Sequence, residues 1–478
     1  MKDFDVVLLH PSIRAAMTEK ERTSVTYPRF LMTPMGFFSM AEYLRQSGFE
    51  AQIMNIGLEE CIEPSLEIEK CVESIQSKIF AIDLHWFSHS HHALSLADTC
   101  KKTHPDSLVV LGGITAAWFG NEILKNCPSV DVVVRGEGER PIVEIVRSVG
   151  SGKDLGDTKS IIYRKNCCVK ETDLGAAFSM NELCFTELNL MKNWEKYLEA
   201  DSMGYDSKRN MPKAFWLPIA RGCVYDCIHC GGGNTAYGRF SGRNRIALRS
   251  PEKVAEDIQR LSGYGVKVIN FSHDPQVGGE DYYAKMFALI REMKLDMSAY
   301  IEVFQLPSKE FLQNLDKTFY SPSIAISPES ASEVVRKRAG KHFENDDLFH
   351  ALRSTDEMMI RTSVYFCLGL PGENLETYNL FENLVCKVAF ETDALVPPPI
   401  TYIIDPNCPM ATDPDKYEIK LSLRDFEDYR RMSSRIGTPQ EASSGYETKD
   451  LTCKEIIRLN AMARNHVAFI NSVRKMKR

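Results

Sequence analysis

Short apolar runs alternate with longer mixed stretches along most of the chain. Val6–His10, Glu50–Asn55, Ile79–Asp83, Leu108–Leu111 and Val130–Val134 are β-branched or apolar runs of strand length. Between them, Met35–Ser47, His92–Thr103 and Glu139–Val149 carry apolar residues at helical spacing. Strands apolar on both faces and separated by helices predict a parallel, doubly wound sheet over residues 1–150. The rhythm breaks over 151–210. There Ser160–Arg164 fits a strand, Asn181–Glu199 mixes charge and aromatics without a period, and the whole stretch reads as a linker.

From Phe215 the alternation resumes. Phe215–Ala220, Val266–Phe271, Met297–Phe304, Ser323–Ser327 and Thr362–Leu368 read as strands. Pro251–Gly263, Tyr282–Met293, Lys309–Thr318 and Asp346–Met358 read as the helices between them. After Thr401 comes a turn-rich loop, Asp405-Pro-Asn-Cys-Pro409, and then charged, helical stretches from Leu421 to the end. The expected fold class is α/β. It comprises an N-terminal doubly wound, Rossmann-like domain (1–150), a linker (151–210), a partial (β/α)6 barrel (211–400) and a mostly helical C-terminal region (401–478).

Parallel α/β sheets and barrels place ligands at the carboxyl ends of their strands. In the first domain those ends are His10-Pro11-Ser12, His85-Trp86-Phe87-Ser88, Gly112-Gly113-Ile114-Thr115 and Gly136-Glu137-Gly138-Glu139. Glycines at such positions let a ligand approach backbone amides closely, although each one taken singly also fits a plain turn. In the second domain the polar strand ends are Ser272-His273-Asp274, Glu302, Pro328-Glu329-Ser330 and Gly369-Leu370-Pro371-Gly372-Glu373. A carboxylate at such a rim can accept hydrogen bonds from a diol or an ammonium group.

The sharpest chemical signal is Cys223-Val-Tyr-Asp-Cys227-Ile-His-Cys230, followed at once by Gly231-Gly232-Gly233. Three thiols on one short loop can converge on one metal centre. Structural zinc and four-cysteine iron–sulfur sites both want a fourth protein ligand. The spacing therefore suggests a 4Fe–4S cluster with one iron open to a small molecule; a zinc knuckle borrowing His229, or inert thiols, are the alternatives. Fourteen cysteines, mostly single and scattered, do not form a disulfide framework in a chain of this size, and a reducing cytoplasm is the expected setting. A net charge of −7, with no basic tract beyond the terminal Lys475-Met-Lys-Arg478, argues against a nucleic-acid partner. No apolar run approaches the roughly 18 residues of a membrane span, and the opening residues read as a strand rather than a signal peptide.

The cysteine loop resembles the signature of radical S-adenosylmethionine (SAM) enzymes. Arg135-Gly-Glu-Gly-Glu139, Gly112-Gly113 and Pro34-Met-Gly36 together resemble the cobalamin-binding domain that precedes many radical SAM cores. Ser327–Lys341, Gly369–Glu373 and Asp413-Pro-Asp-Lys-Tyr417 resemble further runs of the same family, with Ala331 where that family carries glycine. The resemblance implies three cofactors: a 4Fe–4S cluster on Cys223, Cys227 and Cys230, SAM at the open iron, and cobalamin, as methylcobalamin. It places Asp274, Glu302, Glu329 and Arg338 around SAM, with Glu329 on the ribose or amine and Arg338 on the carboxylate. Ser12, Trp86, Ser88, Gly112, Gly113, Gly136, Glu137 and Gly138 are placed around cobalamin. No Asp-x-His-x-x-Gly occurs, so no protein histidine is expected on cobalt, and His85, His89, His91 and His92 read as the rim of a pocket. The implied reaction uses a 5′-deoxyadenosyl radical and a methyl group from cobalamin to methylate an unactivated carbon of a small molecule, peptide or protein residue. A low-potential ferredoxin or flavodoxin is the expected electron donor. A cyclase or rearrangement enzyme, and a cofactor-bound sensor without turnover, are the rival readings. The catalytic acid and base residues are unassigned.

Overall fold

The structure is a computed structural model that describes residues 3–12, 31–166, 168–200, 211–402, 404–435 and 444–477. It divides into two compact units. The first comprises Met1–Lys213, Tyr237–Asn244 and Arg424–Glu441; the second comprises Ala214–Ala236, Arg245–Leu423 and Ala442–Arg478.

The first unit is built on a seven-stranded sheet. Its strands are β1 (Asp3–His10), β2 (Ala51–Asn55), β3 (Gln76–Asp83), β4 (Leu108–Gly112), β5 (Val132–Val134), β6 (Ile161–Lys165) and β7 (Cys168–Glu171), in the order β2-β1-β3-β4-β5-β6-β7. Strands β1 to β5 pair in parallel, as the apolar runs predict. Val6 to Leu9 and Ile79 to Ile82 are buried on both faces of their strands, the pattern of a sheet covered by helices on both sides. Ser90–Thr103, Ile114–Asn126 and Glu139–Ser151 follow β3, β4 and β5 on short connections, and Met35–Gln46 precedes β2.

Within 151–210, which the sequence suggests is a linker, two segments form strands of the sheet. Strands β6 and β7 join the sheet antiparallel, β6 beside β5 and β7 beside β6. They cover the open edge of β5, which three residues of valine would otherwise expose. Ile161 and Ile162 pack into the core, and the short run and the chain reversal at Asn166 (φ 47°) had masked the hairpin in the periodicity.

The second unit carries a six-stranded parallel sheet. Its strands are β8 (Ala214–Leu217), β11 (Val268–Phe271), β12 (Ser298–Val303), β13 (Ser323–Glu329), β14 (Arg361–Leu368) and β15 (Ile400–Thr401), in the order β15-β14-β13-β12-β11-β8. A small antiparallel pair, β9 (Ala220–Arg221) with β10 (Ala247–Leu248), lies outside it. The intervening helices begin where local chemistry dictates. Ser250 accepts the amide of Lys253 ahead of Pro251, Ser308 accepts that of Phe311, and Asn374 forms a reciprocal capping box with Thr377. Glu333–Ala339 is an additional helix between β13 and Asn345–Glu357.

Along β12 the odd-numbered residues Ala299, Ile301 and Val303 are buried, while Tyr300 and Glu302 alternate with them. The two-residue period sends one set toward the helices and the other to the opposite face of the sheet. Register places Trp216, Asn270 and Tyr300 side by side in one row of that second face.

Candidate active site

In the second unit, β8 and β9 deliver the chain directly into the cysteine loop, whose backbone is fixed at many points. Cys230 N donates to Cys227 O (3.1 Å), Asn234 N to Tyr225 O (2.9 Å) and Met410 N to Ile228 O (2.9 Å). Asp405 accepts the amide of Gly231 at 3.0 Å, and Asn407 Nδ2 donates to the Gly231 carbonyl at 2.6 Å, so the 405–409 turn clamps the glycines after Cys230. A side chain at Gly231 would collide with Asn407. His273 holds the other end of the loop: its Nε2 meets the Gly222 carbonyl at 3.1 Å and its Nδ1 the Ser272 hydroxyl at 2.9 Å. Because a carbonyl only accepts, His273 carries its proton on Nε2, and burial pushes its pKa down to about 4.

Two thiols receive backbone amides: Tyr225 N points to Cys223 Sγ at 3.4 Å and Gly232 N to Cys230 Sγ at 3.3 Å. Burial pushes the Cys230 thiol up to about 12 and raises Cys223 and Cys227 as well. A metal cation reverses that balance by binding the thiolate. Gly340, with φ +103°, lies against Cys227, where a Cβ would stand 3.4 Å from its Sγ. Half-buried soft donors on a fixed loop, with N–H groups aimed at sulfur and a glycine keeping one side clear, fit an iron–sulfur cluster.

Glu329 is brought to this loop by strain. The ladder between β13 and β14 shifts register between Ile326 and Glu329, and Glu329 itself sits at φ +68°, a conformation that costs a non-glycine residue on the order of 1 kcal/mol. The buried carboxylate takes a short hydrogen bond from the Tyr402 hydroxyl. That hydroxyl has one proton, so His229 Nε2, 3.1 Å away, donates to it, leaving His229 Nδ1 as a buried lone pair without a partner among the described residues. Burial lowers the His229 pKa and keeps the ring neutral. Lys341 Nζ lies 3.7 Å from Glu329 and donates to the Phe304 carbonyl at 2.9 Å. Glu329, Tyr402, His229 and Lys341 thus form one connected set beside the cysteines.

Other expected residues are placed differently. Both carboxylate oxygens of Asp274 are engaged, by the amides of Gln276 and Phe304 at 2.9 Å and by the Gln276 side chain at 3.2 Å. It braces the ends of β11 and β12. Arg338 pairs with Glu418 at 3.5 Å and is partly exposed, because the Glu333–Ala339 helix turns it outward while the fully buried Arg336 takes the inner position. Arg336 binds the Ser330 carbonyl and Asn345, a structural role. Glu302 is open on the second face of the sheet and accepts from Tyr300 at 3.0 Å; surrounding protein pushes its pKa up. Trp216 meets Tyr300 edge to face at 5.9 Å, and Tyr365 lies on the same face. Sequence reasoning missed Lys341, Tyr402, Asp405 and Asn407 as site residues. Lys341 ends the Ser327–Lys341 run, but nothing local marks the other three.

In the first unit, the ends of β1, β3, β4 and β5 carry the expected loops. Gly113 has φ +111°, and a Cβ there would lie 2.5 Å from the His85 backbone, so this glycine is required by the contact between the β3 and β4 loops. Thr115 N and Oγ1 both donate to the His85 carbonyl, at 3.1 and 3.0 Å. Gly112 has no neighbour within 4 Å of a Cβ position, which leaves backbone open to a ligand there. Trp86 is exposed and stacks edge-on against His85 at 4.6 Å; Ser88 is half-buried beside it. Ser12 is buried and donates to Glu60 at 2.6 Å.

The Arg135–Glu139 loop is the main departure. Glu137 accepts a short bond from Arg243 and the amide of Phe178 at 2.9 Å, so both its oxygens face protein. Gly136 (φ +68°) lies against Phe240 and Ser241, and a Cβ at Gly138 would meet the sulfur of Met40 at 2.6 Å. These residues pack the chain together, and their glycines answer close backbone approach. The open Gly112 backbone and the exposed Trp86 still fit a large polar cofactor at the strand ends.

Residues 217–384 match the Radical SAM superfamily and residues 22–146 the B12 binding domain. An uncharacterized methyltransferase of Pyrococcus horikoshii is 24% identical over 378 residues, covering 79% of this chain and 76% of that protein. The anaerobic magnesium-protoporphyrin IX monomethyl ester cyclase of Rubrivivax gelatinosus is 24% identical over 58% of this chain, which spans 48% of the cyclase's own length. Among solved structures, TsrM, a radical SAM methyltransferase from Kitasatospora setae with cobalamin and a [4Fe-4S] cluster bound, superposes with a TM-score of 0.65 at 13% identity, covering 98% of this chain and 89% of that one. OxsB, a cobalamin-dependent SAM radical enzyme, gives 0.59 at 14% identity over 96% of this chain and 61% of its own. At such identities these likenesses concern the fold.

Proposed function

The chain belongs to the radical SAM enzymes that carry an N-terminal B12-binding domain, with a 4Fe–4S cluster, SAM and cobalamin as cofactors, and from that premise we propose that it is a C-methyltransferase. The observation that carries this reading is the presence of both domains in one chain that is similar, over most of its length, to a methyltransferase. When bound, the cofactors supply one-electron reduction, hydrogen abstraction and the methyl group.

The chain's own residues then have distinct tasks. Cys223, Cys227 and Cys230 hold the cluster, with the amides of Tyr225 and Gly232 directed at sulfur. Glu329 receives the ribose or amine of SAM, its carboxylate aimed by the left-handed backbone and steadied by Tyr402. Lys341 sits on the other side of that carboxylate and keeps a cation in the buried pocket. Arg338 belongs to the surface pair with Glu418. In the B12-binding unit, Gly112, Trp86 and Ser88 line the cobalamin site, while Gly113 and Glu137 hold its walls in place. Trp216, Asn270, Tyr300, Glu302 and Tyr365 form the substrate face: three aromatic rings for a planar or apolar body, and a carboxyl and phenols for its polar groups.

Likeness to the cyclase supports a second reading, ring formation without methyl transfer. Anaerobically reconstituted protein, given SAM, a low-potential reductant and candidate substrates, separates the readings. Methylation yields S-adenosylhomocysteine together with 5′-deoxyadenosine and a product heavier by one methylene. Cyclisation yields 5′-deoxyadenosine without S-adenosylhomocysteine and a product that has gained no carbon. No cleavage of SAM under any condition would leave a cofactor-bound sensor.

A further inference from the structure

At the carboxyl ends of β1 and β3, His10, Asp83 and His89 converge in the interior of the first unit. All three are buried, His10 to 1% and His89 to 2% exposure. Asp83 Oδ2 lies 3.1 Å from His10 Nδ1 and 3.6 Å from His89 Nδ1, and one donor atom from each residue lies within 4.8 Å of the others. The second carboxylate oxygen, Oδ1, accepts the backbone amide of His85 at 3.0 Å, which fixes the carboxylate plane.

This group is poorly satisfied as a hydrogen-bond network. Nine buried side-chain polar atoms lack a partner among the described residues, and five of them belong to His10, His89, Ser90 and His92. Both nitrogens of His89 are in that set, because 3.6 Å is too long for a hydrogen bond to Asp83. Orphaned nitrogens at such density are rare in a folded interior. The charge balance points the same way. Asp83 is a buried carboxylate whose only ion-pairing partners among the described residues are these two imidazoles.

We propose that His10, Asp83 and His89 form a mononuclear binding site for a divalent zinc-class ion. Ligand bonds of about 2.0–2.1 Å imply tetrahedral edges of roughly 3.3 Å, and the two measured separations fall on either side of that value. Two imidazoles and one carboxylate are a ligand set that zinc accepts, with a fourth position for water or a neighbouring hydroxyl. The hydrogen bond from His85 to Oδ1 supplies the outer support that metal-bound carboxylates normally have. Complete burial suits an ion and not a corrin ring, so the site is separate from cobalamin. Bound there, the ion would tie the ends of β1 and β3 to the turn that carries Trp86 and Ser88.

The test uses the full-length, reconstituted holoprotein, dialysed against zinc chloride and desalted. Elemental analysis is expected to give about one zinc per chain beyond the iron and cobalt, and X-ray absorption at the zinc edge to show nitrogen and oxygen neighbours only. His89→Ala and Asp83→Asn should each lower zinc below about a tenth of an ion per chain while iron and cobalamin contents stay unchanged. No stoichiometric zinc in the unmodified protein overturns the proposal, and the buried group is then a water-filled polar node. Sulfur in the zinc coordination shell, or zinc retained in both variants, also overturns it. If a variant loses iron and cobalamin too, it has misfolded, and the absorption spectrum of the unmodified protein decides alone.

Discussion

At the scale of single residues, the site rests on groups whose chemistry is set by what surrounds them. Replacing Cys223, Cys227 and Cys230 together with alanine should abolish the visible absorbance of the reconstituted cluster, with circular dichroism unchanged; four irons per chain surviving in that variant would refute the assignment. Glu373 shows burial acting on an acid. It accepts from Ser330 at 2.6 Å and from the amides of Gly369 and Leu370 at 2.7 and 3.1 Å, yet complete burial outweighs these bonds and raises its pKa from 4.5 to about 7. The folded protein therefore keeps a proton that the unfolded chain has released, and stability falls as pH rises from about 4.5 through 7. The loss should total roughly 3 kcal/mol, and Glu373→Gln, which mimics the protonated form, should remove this part of the pH dependence of chemical unfolding. Histidine near the cofactor is a third case. His85 packs its backbone against Gly113 and its ring against Trp86. His85→Ala should leave the paramagnetic cobalt(II) spectrum unchanged and without nitrogen splitting; splitting that disappears in this variant would move His85 onto cobalt.

At the scale of elements, strand ends and their turns decide what the loops can do. The left-handed backbone at Glu329 and the register shift before it are the device by which β13 aims a carboxylate at the cysteine loop. Gly113 does the converse work, letting the β4 turn press against the β3 turn. Alanine there meets both a forbidden backbone angle and a 2.5 Å contact with backbone that cannot rotate away. Gly113→Ala should cost about 2 kcal/mol or more in unfolding free energy and weaken cobalamin retention through a desalting column. Wild-type retention in this variant would mean that the β3 turn can shift freely and does not shape the cofactor site.

At the scale of the whole molecule, the hairpin of β6 and β7 sets where the first unit's sheet ends. A fragment of residues 1–150 leaves the three valines of β5 as an edge and should aggregate, whereas residues 1–200 should stay dispersed in size-exclusion chromatography and take up hydroxocobalamin. Equal behaviour of the two fragments would show the hairpin to be dispensable. The alternation of apolar runs was enough to determine two parallel α/β sheets, since a strand buried on both faces and a helix buried on one leave different periods in the sequence. Cysteine spacing is local too, and by itself it singles out the 223–230 loop as a candidate metal centre. Tertiary structure alone decided the rest, because it depends on residues far apart in the chain. Asp405 and Asn407 reach Gly231 from more than 170 positions away, and Tyr402 reaches Glu329 across 73. Glu137, Asp274 and Arg338 carry polar chemistry at strand and helix ends, and only the folded structure shows the protein groups that engage them. A residue's type and local period fix what it can do; the direction in which its side chain points is settled by contacts the sequence does not order side by side.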